Sequence, residues 1–252
     1  IFPKVLFDKD VFSINKLDYH ASFDIYAGID ELKKRKTSLK RSLNGKWNVS
    51  YFRNAKIEDL KNGLEPSPTK KGVVKVPCSL EFAGFGNPQY VNSQYPFDGH
   101  EDVKIGEFDF DYNTFYELSR DFLCIEKVDR KKIGSKGDEI FDDRDRFILS
   151  FDGIEGAAFI YLNGEFVGYC ENAFSPSEFD ITDMVKGVNN LLVRIYKKSS
   201  ASYLDDQDFW RLSGIFRDVN LYRISHIHVE DVKVSYTFDE DYKKANIKAD
   251  VK

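Results

Sequence analysis

The chain has 252 residues, 42% hydrophobic and 15% aromatic, so it is long enough to bury a large core, and disorder throughout is excluded. Its 37 Lys and Arg and 42 Asp and Glu give a net charge of −5 without a basic face or tail, which argues against a nucleic-acid partner. No stretch approaches the roughly 20 apolar residues that span a bilayer, and the first ten residues lack a signal-peptide pattern, so no membrane partner is predicted.

The three cysteines, Cys78, Cys124 and Cys170, are far apart and form no CxxC pair. An odd number of widely spaced thiols predicts neither a disulfide framework nor a zinc site. Unpaired thiols are typical of a reducing compartment, and the sequence therefore predicts a cytoplasmic protein.

Short runs of Tyr, Phe, Val and Ile separated by Gly, Asn, Asp and Ser predict an all-β fold. Near the start, "RSLNGKWNVSYF" places an Asn-Gly turn before a strand on which Trp47, Val49 and Tyr51 share one face. The polar connection "NAKIEDLKNGLEPSPTKKG" predicts one helical turn at most. The charge-rich stretch near 127–146 is predicted to be a long solvated loop.

The middle of the chain holds the clearest strands. In "RFILSFDG", Phe147, Leu149 and Phe151 alternate with other residues in a run that is buried on one or both faces. The following "AAFIYLNGEFVGYC" is predicted to be a hairpin, because Asn-Gly supplies the positive φ angles of a type I′ turn. "SEFDITDMVKG" holds one helical candidate, a short turn with Asp180 or Thr182 as its cap and Gly187 as its end.

Two more strands are predicted in "NNLLVRIYKK" and "FRDVNLYRI". The last stretch, "HIHVEDVKVSYTFDEDYKKANIKADVK", predicts two alternating strands around an acidic turn. A lone hairpin is only marginally stable in water, so this stretch indicates a second domain that the chain only begins.

Three segments in this order carry a family likeness: "FDGIEGAAFIYLNGEFVGYCENAFSPSEFDIT", "LLVRIY" and "SYLDDQDFWRLSGIFRDVNLY". Together they resemble the N-terminal sugar-binding domain of glycoside hydrolase family 2. The run "DQDFWRLSGIFRD" is similar to that of the large bacterial β-galactosidases, as are "INKLDYH", "RSLNGKWNVSYF" and "NPQYVNSQYP". The likeness therefore extends over nearly the whole chain.

This resemblance implies a jelly-roll β-sandwich over 1–224 and the start of a truncated immunoglobulin-like domain over 225–252. It also implies a TIM barrel that carries the active site and is absent from this chain. The full-length enzyme is then expected to hydrolyse terminal β-D-galactosyl residues by a retaining mechanism, with sodium and magnesium as its cofactors. We expect this chain alone to be inactive, and the full-length enzyme to act on β-galactosides as a homo-oligomer.

The cluster of aspartates before the last strand suggests catalysis, because a retaining glycosidase uses two carboxyl groups. The resemblance assigns both to glutamates of the barrel, so we predict no catalytic residue in this chain. Instead it implies that Asp208 reaches into the barrel's site to bind galactose and a sodium ion, and that Asn92 also reaches the sugar. From the residues alone, the favoured interpretation is that Asp208 caps or pairs with Arg211 or Arg217, and Asn92 can be a turn residue; only the length of the family motif reverses this preference for Asp208.

The other residues near this motif have structural interpretations. Trp210 is predicted to lie in the core or in a domain interface, and Gly214 to allow a turn that a side chain would block. Arg217 and Asp218 are predicted to form an ion pair that braces the loop. His226 and His228 are expected on an edge strand that faces solvent, rather than at a metal site.

Two alternative functions remain open at this point. The chain can be a free-standing carbohydrate-binding module, which would bind galactosides by itself. It can also be the same domain of a family 2 β-glucuronidase or β-mannosidase, because the barrel that selects the substrate is missing.

Overall fold

The fold was analysed in a computed structural model. It describes residues 4–64, 66–90, 112–124, 145–202 and 208–252. The predicted sugar-contacting residue Asn92 and nearly all of the charged stretch 127–146 lie outside the described residues, so both predictions stay open.

The helical elements are short. They are the 3-10 helix η1 (Lys4–Phe7) and the α-helices α1 (Ile29–Lys34) and α2 (Ile57–Lys61). Among the described residues the larger sheet has seven antiparallel strands, in spatial order β1 (Ser13–Ile14), β10 (Glu165–Cys170), β9 (Ala157–Leu162), β12 (Val188–Tyr196), β6 (Tyr112–Leu123), β3 (Gly45–Lys56) and β4 (Lys70–Val76).

The smaller sheet has four described antiparallel strands, in spatial order β11 (Ser177–Asp180), β7 (Arg146–Phe151), β15 (Val219–Ile224) and β2 (Lys40–Ser42). Three further strand pairs stand apart from the two sheets: β5 (Gln89–Tyr90) with β13 (Trp210–Arg211), β8 (Ile154–Glu155) with β14 (Gly214–Ile215), and β16 (Val232–Phe238) with β17 (Ala245–Val251).

The main core lies between the two sheets. Alternate side chains of each strand point to one face, and the inward set of the larger sheet includes Trp47, Val49 and Leu118. They pack in one cluster with Leu149 and Phe151 of the smaller sheet. Two antiparallel sheets with a shared apolar interior form a β-sandwich, so the predicted all-β sandwich is confirmed.

A second buried cluster lies on the outer face of the larger sheet. Phe115, Phe159 and Tyr196 belong to it, although their sequence neighbours point into the sandwich core. Leu6 of η1 and Leu60 of α2 pack against these rings and exclude water from them. The central strands are therefore buried on both faces, which the sequence did not predict.

The Asn-Gly hairpin prediction is confirmed. Asn163 and Gly164 have φ angles of 55° and 84°, and they connect β9 to β10 with Leu162 opposite Glu165. Two consecutive positive φ angles are the mark of a type I′ turn, whose twist matches that of the flanking strands.

The candidate within "SEFDITDMVKG" forms the predicted short turn but no helix, and Asp180 accepts the amide of Thr182 at its start at 3.0 Å. The four residues up to Asp180 form strand β11, with Phe179 opposite Leu149 of β7. Phe179 is fully buried in the sandwich core, which holds this strand against the smaller sheet. Only a single turn follows, in which the amide of Met184 donates to the carbonyl of Ile181 at 3.0 Å.

His226 and His228 lie in the connection after β15, not on an edge strand as predicted. The Nδ1 atom of His228 is 2.8 Å from the carbonyl oxygen of Ser225. The hairpin of β16 and β17 forms as predicted, with Val232 opposite Val251. The division into domains 1–224 and 225–252 stays a prediction.

No helix within the described ranges is long and apolar enough to cross a membrane.

Candidate functional site

The pairing of β5 with β13 brings together the chain segments that lead to the two predicted sugar-contacting residues. Tyr90 lies opposite Trp210 in this pair. Strand β13 begins two residues after Asp208, and β5 ends two residues before Asn92. A single short strand pair therefore joins the two regions that sequence reasoning selected.

Asp208 is exposed, and its backbone has a φ of 51°, a left-handed conformation that Asp tolerates better than most residues. The hydroxyl of Tyr90 donates a hydrogen bond of 2.7 Å to Oδ1 of Asp208. This bond is the main reason why the pKa of Tyr90 is raised. Among the described contacts of Asp208 there is none with Arg211 or Arg217, so neither predicted pair forms.

Exposed aromatic rings border Asp208. The ring of Tyr90 lies 5.3 Å from that of Trp210, and Phe209 packs on Phe174 at 5.5 Å between ring centroids. Trp210 is 52% exposed, so its predicted place in the core is wrong, whereas its role in a domain interface stays a prediction. Aromatic rings beside a fixed carboxylate offer a ligand an apolar surface together with a hydrogen-bond acceptor.

A buried carboxylate, Glu81, lies in the stretch between β4 and β5 and is only 4% exposed. Its Oε2 accepts the backbone N–H of Ser213 at 2.8 Å, and its Oε1 accepts Nζ of Lys197 at 2.6 Å. The hydroxyl of Tyr116 donates to Oε1 at 3.2 Å. Burial and the charge of Glu81 raise the pKa of Tyr116 well above its usual range, which keeps this phenol a donor.

A second buried carboxylate, Glu171, is 3% exposed. Its Oε2 accepts the backbone N–H of Ala201 at 2.8 Å and the hydroxyls of Ser199 and Ser200 at 3.2 and 3.0 Å. Tyr169 donates its hydroxyl to Oε1. Burial raises the pKa of Glu171, and these hydrogen bonds oppose that rise without cancelling it.

A small cavity of about 20 Å³ is lined by Glu171, Lys197 and Ser202, among others. A volume of this order holds about one water molecule. A sugar ring is much larger, so this cavity is not a sugar site.

The chain that follows Asp208 is packed closely against the stretch before β5. Gly214 has a φ of 126°, and a Cβ atom there would lie 2.8 Å from the carbonyl oxygen of Cys78. The prediction that Gly214 has no room for a side chain is confirmed, although the residue lies in strand β14 and not in a turn. Arg217 and Asp218 do not form the predicted ion pair, because Arg217 donates to the carbonyl of Phe174 and Asp218 accepts from Asn44, both at 2.8 Å.

In the part of the chain that the structure describes, no group of three or more His, Cys, Asp or Glu side chains is arranged to hold a metal ion. Cys78, Cys124 and Cys170 are free thiols. Burial raises the pKa of Cys170 to about 11, so this thiol is protonated and unreactive at neutral pH.

Sequence reasoning selected Asp208 but missed Tyr90, Glu81 and Glu171. The two glutamates had a signal, since each is a lone carboxylate within an apolar stretch, "SLEFAGF" and "GYCENAF". Such a position indicates a buried charge with specific partners. Tyr90 had no comparable signal.

Comparisons with known proteins show the family to which the chain belongs. The family model described as "Glycosyl hydrolases family 2, sugar binding domain" matches residues 40–225. A β-galactosidase of Streptococcus thermophilus is 37% identical over 97% of this chain and 23% of its own length. A β-galactosidase large subunit of Latilactobacillus sakei is 32% identical over 94% of this chain and 38% of its own length.

Among solved structures, a Ruminococcus gnavus β-glucuronidase superimposes with a TM-score of 0.57 at 20% identity, covering 93% of this chain and 36% of that one. At this identity the likeness concerns the fold alone. The chain spans about a quarter of the length of the first curated relatives that it matches. Because the family model covers most of the chain, this chain belongs to the sugar-binding domain family of glycosyl hydrolases family 2.

Proposed function

We propose that the chain is the N-terminal sugar-binding portion of a β-galactosidase. The full-length enzyme hydrolyses terminal β-D-galactosyl residues by a retaining mechanism, on a TIM barrel that this chain does not contain. The observation that carries the proposal is the 37% identity to a β-galactosidase over 97% of the chain. In this proposal Asp208 and Asn92 contact the substrate, and the chain alone is inactive because it has no catalytic residue.

The geometry of Asp208 supports a role in binding a sugar hydroxyl. Tyr90 occupies one carboxylate oxygen, and no described residue donates to the other. A hydrogen bond from a neutral donor to a carboxylate is stronger than one between neutral groups. The bond from Tyr90 also limits the rotation of the carboxylate, so less conformational freedom is lost when a ligand binds.

Further parts of the proposal concern the full-length protein. Asp208 supplies one oxygen ligand to a sodium ion, and the other sodium ligands belong to the barrel. The magnesium site also lies in the part of the enzyme outside this chain. The sandwich is a jelly roll, and 225–252 begins an immunoglobulin-like domain. The free thiols of Cys124 and Cys170 agree with a cytoplasmic location. The full-length enzyme forms a homo-oligomer.

The test is the substitution Asp208→Asn in the full-length protein, assayed with a nitrophenyl β-galactoside. We expect KM to rise about 10- to 100-fold, which corresponds to the loss of about 1.5 to 3 kcal/mol for a hydrogen bond to a charged group. Asp183→Asn, at an exposed turn residue, is the matched control and leaves KM unchanged. Hydrolysis of the substrate by the 252-residue chain alone would contradict the proposal.

The alternatives have their own tests. A free-standing carbohydrate-binding module binds galactosides by itself, so calorimetric titration of the 252-residue chain with a β-galactoside would detect it. A β-glucuronidase or β-mannosidase prefers its own nitrophenyl glycoside when the full-length protein is assayed with all three substrates. The solved β-glucuronidases resemble this chain only in fold, and they do not favour that alternative.

A further inference from the structure

Glu81 and Glu171 are two buried carboxylates, and their burial is not explained by a gain in the stability of the sandwich. Taking a carboxylate out of water costs several kcal/mol, and its partners usually do no more than offset that cost. Apolar residues of similar volume would stabilise a core at least as well. Each glutamate is 4% exposed or less and accepts hydrogen bonds from several donors, and these donors have a common location in the chain.

The donors to Glu81 come from three separate parts of the chain. Tyr116 is on β6, Lys197 follows directly after β12, and Ser213 lies five positions after Asp208. Glu81 itself belongs to the stretch that leads to Tyr90, the residue that bonds Asp208. One carboxylate therefore fixes the segment of Tyr90 and the segment of Asp208 to each other and to the sheet.

Glu171 binds the chain that precedes Asp208. Its donors Ser199, Ser200 and Ala201 lie in the last described stretch of chain before Asp208, which ends at Ser202. Three of these bonds involve side-chain or backbone groups of consecutive residues, so the carboxylate fixes the direction of the chain as well as its position. Glu171 itself follows directly after β10, at the end of the larger sheet.

Both glutamates thus hold the chain that flanks Asp208, one before it and one after it. We propose that Glu81 and Glu171 are positioning residues: Glu81 holds Ser213 after Asp208, Glu171 holds residues 199–201 before it, and together they limit where the Asp208 carboxylate can lie. The inference rests on the proposed function for its effect on substrate, but the fixing of the segment is measurable without substrate.

The first experiment measures hydrogen exchange in the 252-residue chain. In Glu81→Gln, one carboxylate oxygen becomes an NH₂ group, so the side chain can no longer accept from Ser213 on one side and from Lys197 on the other. We expect the amide of Ser213 to exchange at least about tenfold faster in Glu81→Gln than in the wild type. The amide of Ala201 should exchange faster by the same factor in Glu171→Gln.

Glu117→Gln is the matched control. Glu117 is bonded by Nε of Arg194 at 2.8 Å and lies on the outer face of the larger sheet, together with Phe115. This substitution also removes a carboxylate from the larger sheet. Among the described contacts, however, Glu117 is not bonded to Ser213 or to residues 199–201. The exchange of Ser213 and Ala201 stays at the wild-type rate in this variant.

The second experiment is a double-mutant cycle in the full-length protein. Glu81→Gln alone raises KM for a nitrophenyl β-galactoside about tenfold, within the usual range of coupling between residues of one hydrogen-bond network. In the Asp208→Asn background the same substitution adds no further increase, because a positioning residue acts through Asp208. A purely structural residue would give increases that multiply, and that result would overturn the proposal.

Thermal unfolding verifies that each variant is folded. If Glu81→Gln does not fold, Tyr116→Phe takes its place, since it removes a single donor to Glu81 and keeps the charge pair with Lys197.

If Asp208→Asn leaves KM unchanged, the proposed function fails. In that case the positioning role is judged only by the amide exchange rates of Ser213 and Ala201. If both amides exchange at the wild-type rate in Glu81→Gln and Glu171→Gln, the positioning role is refuted.

Discussion

Asp208 owes its orientation to a residue 118 positions earlier in the chain. The phenol of Tyr90 donates to Asp208 at 2.7 Å, and the Tyr90 ring lies 5.3 Å from that of Trp210, which is held by the pairing of β5 with β13. The carboxylate is exposed, so without this donor its side chain would sample several rotamers. The hydrogen bond thus selects one orientation before any ligand arrives.

We expect Tyr90→Phe in the full-length protein to raise KM for a β-galactoside about 3- to 10-fold, because one hydrogen bond between partly exposed groups contributes about 0.5 to 1.5 kcal/mol. The change keeps the ring on Trp210, so the free energy of unfolding should fall by no more than this one hydrogen bond contributes. Tyr112→Phe is the matched control, since Tyr112 is also 47% exposed but does not bond Asp208. Equal KM values in the two variants would refute the role of Tyr90.

At the scale of elements, the turns were predictable and some strands were not. Asn163-Gly164 encodes its own conformation, because few other residue pairs tolerate two positive φ angles. The segment Ser177–Asp180 was not predicted as a strand, because it has only four residues and leads directly into the turn that is capped by Asp180. Its place beside β7 is decided by the burial of Phe179, which no local pattern reveals.

The turn can be tested by Gly164→Ala. No atom lies within 4 Å of the added Cβ, so the cost is the backbone strain at φ 84° alone. We expect the free energy of unfolding to fall by about 1 kcal/mol, measured by urea denaturation. Gly187→Ala is the control, because its Cβ also meets no atom and its φ is not positive. Its urea midpoint should not fall, and equal losses in both variants would exclude strain as the cause.

At the scale of the whole molecule, the two buried clusters and the final hairpin are distinct. The sandwich core and the outer aromatic cluster contain no buried residue beyond Leu221 among the described residues. All of β17 and nearly all of β16 are exposed. The hairpin therefore adds little to the stability of the sandwich, which agrees with the predicted division after residue 224.

Deletion of 225–252 should therefore change the Tm of the remaining chain by less than about 3 °C, because a lone two-stranded hairpin contributes little. Differential scanning calorimetry measures this change. A deletion of 219–252, which also removes β15 from the smaller sheet, serves as the comparison and should abolish the cooperative transition. A large loss of Tm in the shorter deletion would contradict the domain division.

The sequence by itself determined the all-β class, the Asn163-Gly164 hairpin, the need for glycine at position 214 and the choice of Asp208. These features depend on local alternation and turn chemistry, or on a motif long enough to resemble a family. Only the tertiary structure decided that Tyr90 bonds Asp208 and that Glu81 accepts the amide of Ser213, across 118 and 132 positions of sequence. Such contacts follow from the packing of two sheets, because strands that are distant in sequence become neighbours only when their apolar faces are buried together.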